Sequence, residues 1–188
     1  MGFIRGRVGG VIGGLSLDLM TAPGRVTGRV GGLVIGADLD LRFGDDGTVA
    51  GRVGGAVFGK DIEGRLTARA FDGRIGGAVV GNDVHLESDG RHVVGRFGGV
   101  LIGHSADLIY ESGPEGSGRA GPSARLTGRL GGPVIGADVN LEVGGGGAAG
   151  EDEGLNSLVA ALAAVVAYYR YHEQRTGSGG GTGGRAGG

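Results

Sequence analysis

Along most of the chain apolar and polar residues alternate with a period of two. Ala37-Asp38-Leu39-Asp40-Leu41, Asn82-Asp83-Val84-His85-Leu86 and Ala137-Asp138-Val139-Asn140-Leu141 each set aliphatic side chains on one side and charged or amide side chains on the other. This is the pattern of a half-buried β-strand. Each such stretch follows a shorter one of fixed form, glycine, arginine, an apolar residue and two glycines, which begins at Gly6, Gly28, Gly51, Gly73, Gly95 and Gly128. Successive starts lie 22, 23, 22, 22 and 33 residues apart, so the chain is a repeat whose units bury their apolar faces by lying side by side.

Two strands per unit predict an all-β fold of six glycine-rich repeats. The irregular repeats agree. The first is two residues short between Gly10 and Leu15, and the fifth carries two extra residues, His104 and Ser105. Changes of two keep every side chain on its own face, whereas an odd change would turn the strand over. Pro23, Pro114, Pro122 and Pro133 all fall outside the proposed strands, where the lack of an N–H does no harm. Asp45-Asp46-Gly47, Asp72-Gly73 and Ser88-Asp89-Gly90 carry the residues of tight hairpin turns, which favours antiparallel neighbours.

Two topologies fit this repeat: an antiparallel meander, open or closed to a barrel, and a β-solenoid with one coil per repeat. Charge placement favours the meander. A solenoid would stack Arg29, Arg52, Arg74 and Arg96 on one another, like charges at strand spacing. In a hairpin Arg29 opposes Asp38, Val30 opposes Ala37, Gly28 opposes Leu39 and Val26 opposes Leu41, giving one apolar face and one face of alternating charge. The same reasoning pairs Arg52 with Asp61, Arg74 with Asp83, Arg96 with Asp107 and Arg129 with Asp138 in a structural arginine–aspartate belt. Against the meander stand the apolar hairpin ends Leu33-Val34-Ile35, Ala56-Val57-Phe58 and Ala78-Val79-Val80.

The periodicity changes near the C-terminus. Residues 1–143 form the β-repeat domain, interrupted at 112–124 by a Gly-, Ser- and Pro-rich insertion that accounts for the one long spacing. Residues 144–154 read as a glycine-rich, acidic linker and 155–173 as the one α-helix, with Leu155, Leu158, Leu162, Val165 and Tyr169 on one stripe and alanine over much of the rest. A helix apolar nearly all round is a buried helix. Its uncharged run is shorter than the roughly 20 residues that span a bilayer, so packing on the sheet or on the helix of another copy is favoured over spanning. Residues 174–188 read as a disordered glycine-rich tail.

Composition narrows function chiefly by exclusion. A net charge of -2 offers no field for neutralising phosphates, so nucleic acid is not an expected partner. With no cysteine there is no disulfide and no thiolate chemistry. No basic segment leads into an apolar run at the start, which makes the cytoplasm the expected compartment, with membrane association the alternative. The Gly-Arg-x-Gly-Gly motif lacks the strand-to-helix step of a phosphate-binding loop. Asp38, Asp61, Asp83, Asp107 and Asp138 lack the clustered spacing of a calcium loop, and His85, His92, His104 and His172 read as solvated surface. No catalytic, cofactor-binding or metal-binding residue is therefore assigned. The expectation is a non-enzymatic structural or scaffold protein, a homo-oligomer or partner-binding protein that docks through its C-terminal apolar helix. The alternatives are a barrel that binds an apolar small molecule and a membrane-associated barrel or helix-anchored protein.

Overall fold

A computed structural model describes residues 1–10, 13–31, 36–55, 59–77, 81–99, 103–113, 123–132, 136–145 and 152–177. Twelve strands follow in chain order: β1 Gly2–Gly10, β2 Gly13–Ala22, β3 Arg25–Gly31, β4 Gly36–Phe43, β5 Thr48–Val53, β6 Lys60–Leu66, β7 Ala70–Gly76, β8 Gly81–Ser88, β9 His92–Gly98, β10 Gly103–Ser112, β11 Ser123–Gly131 and β12 Gly136–Gly145. One helix, α1, spans Glu153–Gly177. Every strand pairs antiparallel with its sequence neighbours, and β1 pairs with β12, so the meander closes into a barrel without an edge. The solenoid alternative is not what forms. The register of the second hairpin is the one the charges require: Arg29 opposite Asp38, Val30 opposite Ala37, Gly28 opposite Leu39 and Val26 opposite Leu41.

Apart from Val94 and Ile109, which are exposed, the aliphatic residues of the strands point inward and the charged ones outward. Leu15, Leu17 and Leu19 of β2 are buried while Ser16, Asp18 and Met20 between them are exposed, and the other strands alternate likewise. A barrel of this many strands is too wide for its own side chains to fill. The helix fills it. It touches β2 and β8, which stand six strands apart around the ring and so face each other across the lumen, as well as β1, β7, β9, β11 and β12. From Leu158 to Tyr168 no side chain of α1 is more than 2% exposed. That is the physical reason for an apolar helix with no polar face.

Small residues recur at inward positions of both helix and wall. Ala160, Ala161, Ala163, Ala164 and Ala167 thin the helix, and the glycine that opens each repeat motif is an inward position of an odd-numbered strand. Gly28 lies between Leu19 and Leu39, Gly95 between Leu86 and Ala106, and Gly128 between Leu108 and Val139. Glycine is needed there. Gly128 has φ +138°, and a Cβ on it would overlap the carbonyl oxygen of Asp107 on the adjacent strand.

Several element boundaries differ from the sequence reading. Asp72 and Gly73 lie within β7, because Gly73 is an inward repeat glycine; the turn is made by Thr67, Ala68 and Arg69, closed by Thr67 N–H donating to the Ala70 carbonyl at 2.8 Å. Strands run on to Ser112, resume at Ser123 and include Gly144 and Gly145, while the helix begins at Glu153 and extends through residues 174–177. Most of the 112–124 insertion, the centre of the 144–154 linker and residues 178–188 lie outside the described residues, as do the apolar hairpin ends.

Two substitutions test this packing. Gly128→Ala is expected to cost about 2 kcal/mol or more from strain and overlap, while Gly132→Ala, whose Cβ would meet nothing within 4 Å, stays within about 0.5 kcal/mol of wild type in urea unfolding. Ala164→Leu forces three extra carbons between helix and wall and should cost about 1–3 kcal/mol in the same assay.

Candidate functional site

The two ends of the barrel differ in chemistry. At the helix N-terminal end, Asp152 caps α1 through its carboxylate, which accepts from the Leu155 N–H at 3.1 Å, and Glu153 accepts from the Ser112 hydroxyl at 2.6 Å. Asp45, Asp46 and Asp89 lie in turns of this same end. The Asp89 carboxylate accepts from the backbone N–H groups of His92 and Arg91, which brings its pKa down to about 2. A shallow cleft of about 400 Å³ opens here over Phe43, Leu66 and Leu155, edged by Asp45 and Asp46. One turn further in, the buried hydroxyls of Ser157 and Ser88 meet at 2.7 Å, tying helix to wall.

At the other end α1 finishes in an aromatic and histidine cluster. Phe97 of β9 packs edge-on against Tyr168 and Tyr169, at ring-centre distances of 5.2 and 5.5 Å. His104 of β10 lies 5.3 Å from the Tyr168 ring and 5.6 Å from the His172 ring, and the Tyr168 hydroxyl is 3.3 Å from its Nδ1. Arg175 stands over the Tyr171 ring and donates to its hydroxyl at 3.0 Å. Glu173 pairs with Lys60 of β6 and with Arg170. Burial pushes the Tyr168 and Tyr169 hydroxyls above, and the His104 and His172 imidazoles below, their ordinary pKa values. All four are thus neutral at pH 7. A nucleophilic tyrosine would need the opposite shift.

The sequence reading placed His104 and His172 on solvated surface, and this is corrected: both are half-buried at the rim. The available signal was parity. His104 lies two residues before the inward Ala106, and so points inward itself; His172 follows Tyr168 by one helical turn.

The stripe residues Leu158, Leu162, Val165 and Tyr169 are buried and Leu155 is half-buried, all within the barrel. On the outer wall Arg29 reaches Asp38 at 3.1 Å and Arg129 reaches Asp138 at 2.7 Å, while Arg52 pairs with Asp61 and Arg74 with Asp83. The fifth expected pair does not form. The two-residue insertion sets Arg96 opposite Ser105 and Asp107 opposite Arg129. Further pairs not anticipated from sequence join Arg5 to Asp18 at 2.7 Å and Arg25 to Asp40 at 2.8 Å. His85 sits on the wall between Asp72 and Glu87, and its bond to Asp72 raises its pKa.

The six repeat arginines all lie within three residues of the strand ends at the rim where α1 finishes. Four face aspartates. Each of those four stands between two carboxylates, Arg29 between Asp18 and Asp38, Arg52 between Asp40 and Asp61, Arg74 between Glu63 and Asp83, and Arg129 between Asp107 and Asp138, whereas Arg7 faces Ser16 and Asn140, and Arg96 faces Ser105 and His85. The connections that leave these strand ends lie outside the described residues, and their sequences include Val11-Ile12, Leu33-Val34-Ile35, Ala56-Val57-Phe58, Ala78-Val79-Val80, Val100-Leu101-Ile102 and Pro133-Val134-Ile135. Comparison of the chain with protein families, with curated proteins and with solved structures finds no match.

The belt is tested by reversing a charge. Arg52 stands opposite both Asp40 and Asp61, so Arg52→Asp places like charges on both sides; it should lower stability by about 1 kcal/mol in low salt, and added salt should restore part of the loss. Arg52→Ala should cost less than the reversal.

Proposed function

We propose that this protein is a non-enzymatic docking scaffold, a helix-filled barrel that engages an anionic lipid surface through its arginine-bearing rim. One observation carries the reading. Every connection at that rim is apolar by sequence and leaves strand ends that hold an arginine, whereas the turns of the opposite end are polar and carry charges of both signs, Asp45, Asp46, Arg69, Asp89 and Arg91. Apolar tips backed by cations suit the boundary between acyl chains and anionic headgroups.

The other readings have less support. The place of an apolar ligand is taken by α1, so a carrier function would require the helix to leave. Self-association through the helix meets the same obstacle, since its apolar surface is enclosed by its own barrel. A barrel that crosses a membrane on its strands presents an outward apolar band, and here the outward positions carry arginine and aspartate. Among the described residues no helix is long and apolar enough to cross a membrane.

The test is co-sedimentation of the full chain with vesicles of phosphatidylcholine alone and of phosphatidylcholine with 30% phosphatidylserine. Binding is expected to the serine-containing vesicles, weakened several-fold by 0.5 M salt and by the double change Arg7→Glu and Arg96→Glu. Protein left in the supernatant with both vesicle types overturns the reading. A stable dimer by light scattering that the double change disrupts would assign the rim to a second copy and overturn it equally.

A further inference from the structure

We propose that His104 and His172 form an acid-sensitive latch that holds the last turns of α1 in the barrel mouth. The inference is independent of what the rim docks against. His104 comes from the wall and His172 from the helix, their ring centres are 5.6 Å apart, and the Tyr168 ring lies against both, 4.5 Å from His172. The contact therefore spans a junction between wall and helix that has to open, together with the Lys60–Glu173 pair, if the helix end is to move. While the pair is neutral, His104 Nδ1 accepts from the Tyr168 hydroxyl and the rings pack. A proton on each imidazole would convert this contact between wall and helix into repulsion.

The surroundings make that second proton costly. On α1 the flanking charges are Arg170, Glu173 and Arg175; β6 contributes Lys60, β8 contributes Asp83, whose charge reaches Tyr169, β11 contributes Arg129 beside Tyr168, and β9 contributes the uncharged Phe97. Both carboxylates of this group are already paired, Glu173 with Lys60 and Arg170, and Asp83 with Arg74. The helix C-terminus itself favours a cation, but burial and the facing cations act the other way. Burial lowers the pKa of His104, and burial, then His104, then Arg175 lower that of His172. A histidine whose pKa is lowered on folding contributes stability that is intact above its ordinary value of 6.5 and is lost as the pH falls below it. His85 on the outer wall has the opposite sign, losing its contribution as the pH rises. Opening is local, because the middle of the helix is held by apolar contacts and by Ser157 on Ser88, none of which titrates in this range.

Amide hydrogen exchange of the full chain at pH 7.5 and pH 5, corrected for intrinsic rates, reads the latch directly. Protection over residues 168–177 should fall at least about tenfold at pH 5, while that over 157–163 changes little. In the double variant His104→Gln and His172→Phe, which keeps an acceptor for Tyr168 and a ring against it, the loss should disappear. Equal protection of the helix end at both pH values overturns the proposal, as does a uniform loss along the helix or an undiminished loss in the variant. Should the variant not fold, proton NMR of the wild type decides: both rim imidazoles should titrate below the ordinary histidine value of 6.5, and titration of both at or above it refutes the latch.

Discussion

Filling the lumen is the constraint on which the rest of the structure depends. A closed ring of twelve strands leaves an apolar cavity that inward valines and leucines cannot occupy alone, and an empty one would forfeit both burial and dispersion along its whole length. The C-terminal helix resolves this from within the same chain. Its alanines keep the helix thin enough to be enclosed, with every side chain from Leu158 to Tyr168 buried. The repeat motif has a matching division of labour: its first glycine stands where the backbone of the adjacent strand leaves no room for a Cβ, its arginine faces water, and its apolar residue joins the core.

Closure removes the liability that a glycine-rich meander would otherwise carry. An open sheet of these repeats would end in unpaired edges with weak intrinsic strand propensity, inviting pairing with other copies. Pairing β1 with β12 satisfies both edges at once. The ion pairs of the outer wall add little stability individually, being exposed. Their larger effect is on register, since a slip by one residue would bury Asp38 or Asp138 and expose the valines and leucines beside them.

Much of this was legible in the sequence, and what was hidden has identifiable causes. The hairpin register could be read because opposite charges and alternating apolar residues both demanded the same pairing of Arg29 with Asp38. The sealed helix could be read from the absence of any polar face, but not its location, since burial against a sheet and enclosure by one look alike along a chain. Asp72-Gly73 imitated a turn because the repeat glycine happened to follow an aspartate, while the true turn rests on the Thr67 side chain, whose oxygen accepts from the Ala70 N–H at 3.0 Å. The expected pair of Arg96 with Asp107 failed because an even insertion preserves the face of a strand while moving its partners by two. The histidine cluster escaped because its members come from a strand and a helix 68 residues apart, which no local pattern connects.

The helix inside its own barrel is the central claim, and one engineered disulfide tests it most directly. The chain contains no cysteine, so Ser88→Cys with Ser157→Cys introduces a single possible pair, at positions whose hydroxyl oxygens are 2.7 Å apart. Oxidation of the dilute protein should give a monomer with the disulfide closed within one chain, read by mass and by mobility before and after reduction. Free thiols under those conditions, or a covalent dimer, would contradict a helix that fills the barrel of its own chain.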